Sequence, residues 1–195
     1  MAAANEPKPR ILVLGIGNIL WADEGFGVRA VEEFDRLWRA PDNVFVLDGG
    51  TQGLYLVQFV AEADHLIVFD AVDYGLAPGT LKIVEDDEVP KFTGAKKMSL
   101  HQTGFQEVLS AADLLGKYPN KLALIGCQPQ DLEDWGGPLT PPVRAQIGPA
   151  IEAARRILAS WGASVEPRPS DGAKSGLLAN ELDFHHYERR GEVLV

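Results

Sequence analysis

Ile11-Leu12-Val13-Leu14-Gly15-Ile16-Gly17-Asn18-Ile19-Leu20-Trp21-Ala22-Asp23-Glu24 decides the architecture of this chain. The continuous run over residues 10–16 suits a strand buried on both faces, as strands of parallel sheets are. Gly15 and Gly17 let the backbone turn tightly, and Asn18 tolerates left-handed geometry or bonds its own backbone. Asp23 is placed to cap a helix reaching about Arg39, with Val31, Phe34, Leu37 and Trp38 as its apolar stripe. The predicted unit is strand, loop, helix.

Outward from this unit the pattern repeats. Val44 to Leu47 reads as a strand ending at Asp48-Gly49-Gly50, followed by a helix over about residues 52–61, and Leu66 to Phe69 reads as a strand ending on Asp70. Ala77-Pro78-Gly79 turns into an extended Thr80 to Val84, an expected edge strand. A helix beginning near Thr103 or Gly104 would bury Phe105, Val108, Leu109 and Ala112. Lys121 to Ile125 supplies a further strand, and Gln128 to Pro142 a connection rich in Pro and Gly. Val143 to about Trp161 forms the last helix, with Ile147, Ile151, Ala154 and Leu158 on one face. This alternation predicts an α/β fold, a three-layer α/β/α sandwich with a twisted, mostly parallel sheet of about five strands.

Residues 92–103 lack a clear period, which predicts a loop crossing the mouth of a site. After Trp161 the composition turns to Pro, Ser, Gly and charge. The expected organisation is one domain over residues 1–162 and a flexible or extended tail over 163–195, in which Leu177-Leu178 and Phe184 are able to dock locally. His185-His186 alone is a weak metal signal.

The chain has 195 residues, 18 Lys and Arg against 28 Asp and Glu, and a net charge of -10 with no offsetting basic cluster. Such a balance argues against a nucleic-acid partner. The single Cys127 excludes an internal disulfide framework and reads as a small buried filler. No apolar stretch of roughly 18 residues is present, so membrane insertion is not expected. The opening residues lack the apolar core of a secretory signal, and the expected location is cytoplasmic.

Three segments carry polar chemistry. The glycine loop leads to Glu24, the strand over 66–69 ends on Asp70, and Lys96-Lys97-Met98-Ser99-Leu100 precedes His101. Taken singly, each has an ordinary explanation. Glu24 suits a helix start, Asp23 a cap, Asp70 a loop cap and His101 a surface or core position. Asp70 is the sharpest, because an ionised carboxylate after an apolar strand is costly unless solvated, hydrogen-bonded or bound to a cation. If the first and third strands are neighbours, both carboxylates open onto one crevice. His101 then completes a set of two oxygens and one nitrogen, suited to Ni or Zn more than Ca. Asp73 is a weaker neighbour.

A nucleotide site is disfavoured. The third glycine of the dinucleotide pattern is replaced by Leu20, and Asp23 and Glu24 stand where pyrophosphate needs a positive helix end. No paired-cysteine zinc motif, metalloprotease helix, phosphate loop or nucleophile elbow is present.

The segments Leu14-Gly15-Ile16-Gly17-Asn18-Ile19-Leu20-Trp21-Ala22-Asp23-Glu24-Gly25-Phe26-Gly27-Val28, Asp48-Gly49-Gly50-Thr51-Gln52-Gly53-Leu54, Phe69-Asp70-Ala71-Val72-Asp73-Tyr74-Gly75 and Lys96-Lys97-Met98-Ser99-Leu100-His101-Gln102 resemble the hydrogenase maturation endopeptidases. They look most like the branch serving membrane-bound uptake hydrogenases, over roughly residues 10–161. The resemblance implies an α/β/α fold and an endopeptidase, catalogued as aspartic-type, that removes the C-terminal extension of a nickel-iron hydrogenase large-subunit precursor after nickel insertion. It also implies that Glu24, Asp70 and His101 are the metal-contacting and catalytic residues, with nickel presented by the substrate and no nucleotide cofactor. A non-catalytic chaperone binding the same precursor is the alternative. Asp48-Gly49-Gly50-Thr51 is expected to shape the substrate cleft, and Lys96 and Lys97 to steer an acidic partner surface.

Overall fold

The computed structural model describes residues 7–89, 100–169, 177 and 182–188, with residues 100–104 described as backbone. Strand β1 (Ile11–Ile16) is buried along its whole length, and its alternating side chains build both halves of the core. Ile11 and Val13 face helix α1 (Phe26–Leu37), meeting Phe26, Ala30, Val31 and Phe34. Leu12, Leu14 and Ile16 face the other way, into a cluster with Leu56, Val60, Phe105, Val108 and Leu109. One strand therefore seeds two apolar layers, each buried aliphatic side chain contributing about 2 kcal/mol as an upper estimate.

Strands β3 (Val44–Gly50), β4 (His65–Ala71), β5 (Leu81–Glu85) and β6 (Lys121–Cys127) complete a five-stranded sheet of order β3-β1-β4-β6-β5. β3, β1, β4 and β6 are parallel, and β5 runs antiparallel on the edge beyond β6. The expected mostly parallel sheet between helical layers is the observed one, and β1 and β4 are immediate neighbours. β2 (Trp38–Arg39) pairs with β7 (Glu166–Pro167) in a separate small ribbon.

Several boundaries differ from the sequence reading. α1 stops at Leu37 rather than Arg39, because Trp38 and Arg39 turn extended into β2; Pro41 also disfavours helical backbone at Ala40. The helix expected over 52–61 is a 3-10 turn (Gly53–Leu56) followed by one α-turn, α2 (Val57–Val60). Helix α3 (Leu100–Leu114) starts before Thr103, so Leu100-His101-Gln102 is helical rather than loop. Leu and Gln are good helix formers, and no proline interrupts them. The rest of the expected loop, residues 92–99 with Lys96 and Lys97, lies outside the described residues. The last long helix is divided into α4 (Pro141–Arg144) and α5 (Ile147–Ser160).

Residues 182–188 lie against α1. They contain helix α6 (Phe184–Tyr187), capped by the Asp183 side chain accepting from the His186 N–H at 2.8 Å. The Phe184 N–H donates to Glu32 at 2.7 Å, and buried Arg29 donates to the Leu182 carbonyl at 2.6 Å.

Candidate active site

The C-terminal ends of β1 and β4 meet the start of α1 at very close range. Gly17 has φ of +135°, and a Cβ there would strike the Glu24 carbonyl. A Cβ on Gly27 would strike the carbonyls of both Ile16 and Phe69. Only glycine lets these backbones approach so closely. Asn18 N–H donates to the Glu24 carbonyl at 3.2 Å, and Glu24 N–H to the Trp21 carbonyl at 2.9 Å. The 3-10 turn Ala22–Gly25 is thus folded back onto the sheet end, with Glu24 half-buried within it.

Asp70 is the residue after Phe69, inside β4 and opposite Gly126 of β6. It is 6% exposed. Burial pushes its carboxyl well above the ordinary carboxylate range; the Ala71 N–H opposes this, and the negative charge of Glu24 adds to it. Glu24 and Asp70 are therefore brought to one place. Burial, with Asp70 and Cys127 contributing charge, also raises the Tyr74 hydroxyl. The Tyr74 ring lies over Gly126, where a Cβ would collide with its hydroxyl.

His101 has its backbone in the first turn of α3, which packs on the turn Gly53–Leu56 and on α2. Its side chain lies outside the described residues. Among the described residues no group of three His, Cys, Asp or Glu side chains forms a metal site.

Asp23 is not a helix cap. The turn Ala22–Gly25 is preceded by Trp21, α1 by Gly25, and neither has a side-chain cap. Fully buried Asp23 instead accepts from Gln130 N–H (2.8 Å), Asp131 N–H (2.9 Å), Thr140 N–H (2.7 Å) and the Thr140 hydroxyl (2.8 Å). One carboxylate organises the loop between β6 and α4. Such a Pro- and Gly-rich connection cannot satisfy its own N–H groups in regular structure, so a buried acceptor had to come from elsewhere in the chain.

Gln128 is a second residue the sequence reading passed over. Its Oε1 accepts from Tyr74 N–H (2.7 Å) and Leu76 N–H (3.1 Å), while Nε2 donates to Asp73 (3.0 Å). It holds the chain that leaves β4 immediately after Asp70. Asp73, which also accepts from Gly75 N–H at 3.0 Å, serves that turn. Asp48 accepts from Gly50 N–H at 2.8 Å at the end of β3; burial raises its carboxyl. Cys127 is buried and its thiol is pushed up to about 12 by that burial, which deprives it of nucleophilic character at neutral pH.

The α/β/α layering around these strand ends is shared with known proteins. A model of the hydrogenase maturation protease family matches residues 28–157. This chain belongs to that family. It is 73% identical over 186 residues to the hydrogenase expression/formation protein HupD of Rhizobium leguminosarum bv. viciae, spanning 95% of this chain and 92% of that protein. It is 48% identical over 161 residues to the hydrogenase 2 maturation protease of Escherichia coli K12, spanning 82% and 96%. The structure of the E. coli hydrogenase maturating endopeptidase HybD superimposes with a TM-score of 0.77 at 47% identity, covering 84% of this chain and 99% of that one.

As a hydrogenase maturation protease the chain is a peptide hydrolase. For Asp70, burial and the neighbouring Glu24 charge both make ionisation costlier, and nearby positive charge offsets such a cost. No described helix is long and apolar enough to cross a membrane.

Proposed function

We propose that this protease removes the C-terminal extension of a nickel-iron hydrogenase large-subunit precursor, and that it recognises nickel already bound in that precursor through Glu24, Asp70 and His101. Family membership supports the proteolytic reaction and its substrate. The observation that carries the site assignment is the juxtaposition of Glu24 with buried Asp70 at the ends of β1 and β4.

Without a cation the two carboxylates oppose one another and Asp70 favours its proton. A dication held by the precursor offsets both the burial cost and the repulsion, so Asp70 ionises as the loaded substrate docks. The imidazole of His101 supplies the borderline nitrogen that nickel prefers. A carboxylate of the pair then holds or deprotonates the attacking water, while the positive charge stabilises the oxygen of the scissile carbonyl. Addition of that water and departure of the amine release one discrete peptide. Loading of the precursor and assembly of the catalytic constellation become a single event. Residues 48–51 line the approach from β3, and a cytoplasmic location accords with processing before the large subunit is assembled.

Mass measurement of nickel-loaded precursor after incubation tests this reading. Loss of a single C-terminal peptide with wild type, and its retention with Glu24→Gln, Asp70→Asn or His101→Ala, is the expected outcome. A stable complex with unchanged precursor mass would mean a binding protein without hydrolysis, and fully active variants would refute the residue assignment.

A further inference from the structure

We propose that Trp135 is a substrate-gripping residue of this protease, and that the group it takes from the precursor is a basic side chain. The proposal rests on the proteolytic reading above and extends it to a contact outside the reacting centre.

The indole of Trp135 is 62% exposed although it is the largest side chain in the loop between β6 and α4, and Leu20 beside it is 37% exposed. It is nevertheless held rigidly. Its ring packs edge-on against Trp21, with centroids 4.8 Å apart and planes at 77°. The backbones of Trp21 and Trp135 form an antiparallel bridge, and Gly136 N–H donates to the Leu20 carbonyl at 2.8 Å. Behind them Asp23 fastens Gln130, Asp131 and Thr140. Ala22, between Trp21 and Asp23, sits at φ of +36°, a conformation that an L-residue keeps only where its surroundings impose it. A fixed, solvent-facing aromatic loses little conformational freedom on binding, which is the property of interface anchors.

Its position ties it to the reaction. The Trp21 carbonyl accepts the Glu24 N–H, so the aromatic pair and a candidate ligand share one turn. A partner seated on Trp135 is therefore registered against Glu24 through a few rigid bonds.

The chemistry of the partner follows from the charge of the loop that carries the ring. Glu133 and Asp134, immediately before Trp135, are both exposed. Asp131 holds their backbone, accepting from Glu133 N–H at 2.7 Å and Asp134 N–H at 3.1 Å. A cleft of about 440 Å³ at the preceding residues of the same loop, lined by Asp73, Asp131 and Glu133 among others, adds to the negative charge of the loop. An exposed indole in an acidic loop suits a guanidinium or ammonium group, which gains from the ring and from the charge of the loop together. The same molecule uses this pairing internally, with Arg155 lying over the Trp38 ring.

Steady-state cleavage of nickel-loaded precursor by Trp135→Ala, Trp135→Phe and the Glu133→Gln/Asp134→Asn double variant tests the proposal. Trp135→Ala should raise KM about tenfold with the change in kcat much smaller, and Trp135→Phe should recover part of that loss. The double variant should raise KM at low salt and flatten its salt dependence. An unchanged KM in Trp135→Ala, or a loss confined to kcat, overturns the grip. A raised KM in Trp135→Ala with no effect of removing both carboxylates overturns the basic partner. If wild type leaves the precursor mass unchanged, the proteolytic reading fails by itself. Direct titration of the same precursor with wild type and Trp135→Ala then decides the contact separately, equal affinities refuting it.

Discussion

Asp23 accepts from Thr140 at two atoms, the backbone N–H at 2.7 Å and the hydroxyl at 2.8 Å, and so joins the turn bearing Glu24 to the loop that follows β6. Asp23→Ala removes an acceptor from four donor groups in a buried setting. Uncompensated donors of this kind cost about 1–3 kcal/mol each when fully buried, with partial relief from water. The expected loss is about 3 kcal/mol in urea unfolding, with Thr140→Val losing about 1 kcal/mol. Equal stability of Asp23→Ala and wild type would show that the loop is held by other contacts.

Asp70 gives the variant with the opposite sign. Its folded pKa is raised above the unfolded value of about 3.9, so the native state holds the proton more tightly than the unfolded chain. Wild type therefore loses stability relative to Asp70→Asn as pH rises from that value through the folded pKa. At neutral pH Asp70→Asn should be at least as stable as wild type and inactive, a separation typical of groups kept for function. Urea unfolding from pH 4 to pH 8 measures it. A stability difference that does not change over this range would contradict the raised folded pKa of Asp70.

Arg29 is fully buried between α1 and the C-terminal segment. It contacts Glu32 at 3.0 Å and Glu188 at 3.5 Å, and stacks over Tyr187 at 5.0 Å. Glu188 also accepts from Leu139 N–H at 3.0 Å, fastening the loop that Asp23 organises. Glu188→Ala breaks a buried pair from one side, which costs about 3–5 kcal/mol. A fall in Tm of roughly 6–20 °C is expected for a chain of this size. A shift of about a degree would mean that residues 182–188 contribute little to the fold.

Cys127 is the one thiol and is inert by burial. Cys127→Ala should retain precursor cleavage, and alkylation of native wild type should be slow. Rapid inactivation by iodoacetamide with loss of cleavage in Cys127→Ala would instead make the thiol a participant.

The layering was legible because β1 is apolar without interruption and is followed by helical periodicity, a combination with few alternatives. The carboxylates at the ends of two runs were legible too, but their meeting depended on β1 and β4 being neighbours, a pairing that only the structure supplies. Asp23 was misread because a carboxylate just before a helix ordinarily caps it. Its true partners lie more than a hundred residues away in sequence, where no local pattern points. Gln128 escaped for the same reason: its donors and acceptors belong to the loop after β4. The start of α3 was placed late because Thr103 and Gly104 look like a boundary, whereas helix propagation depends on the whole segment rather than its weakest residues.

The most direct test compares cleavage of nickel-loaded and nickel-free precursor by the wild-type protease under identical conditions, read by mass. Rapid loss of the C-terminal peptide from the loaded form and little or none from the empty form is predicted. Equal rates on both would contradict recognition of a substrate-borne cation by Glu24, Asp70 and His101.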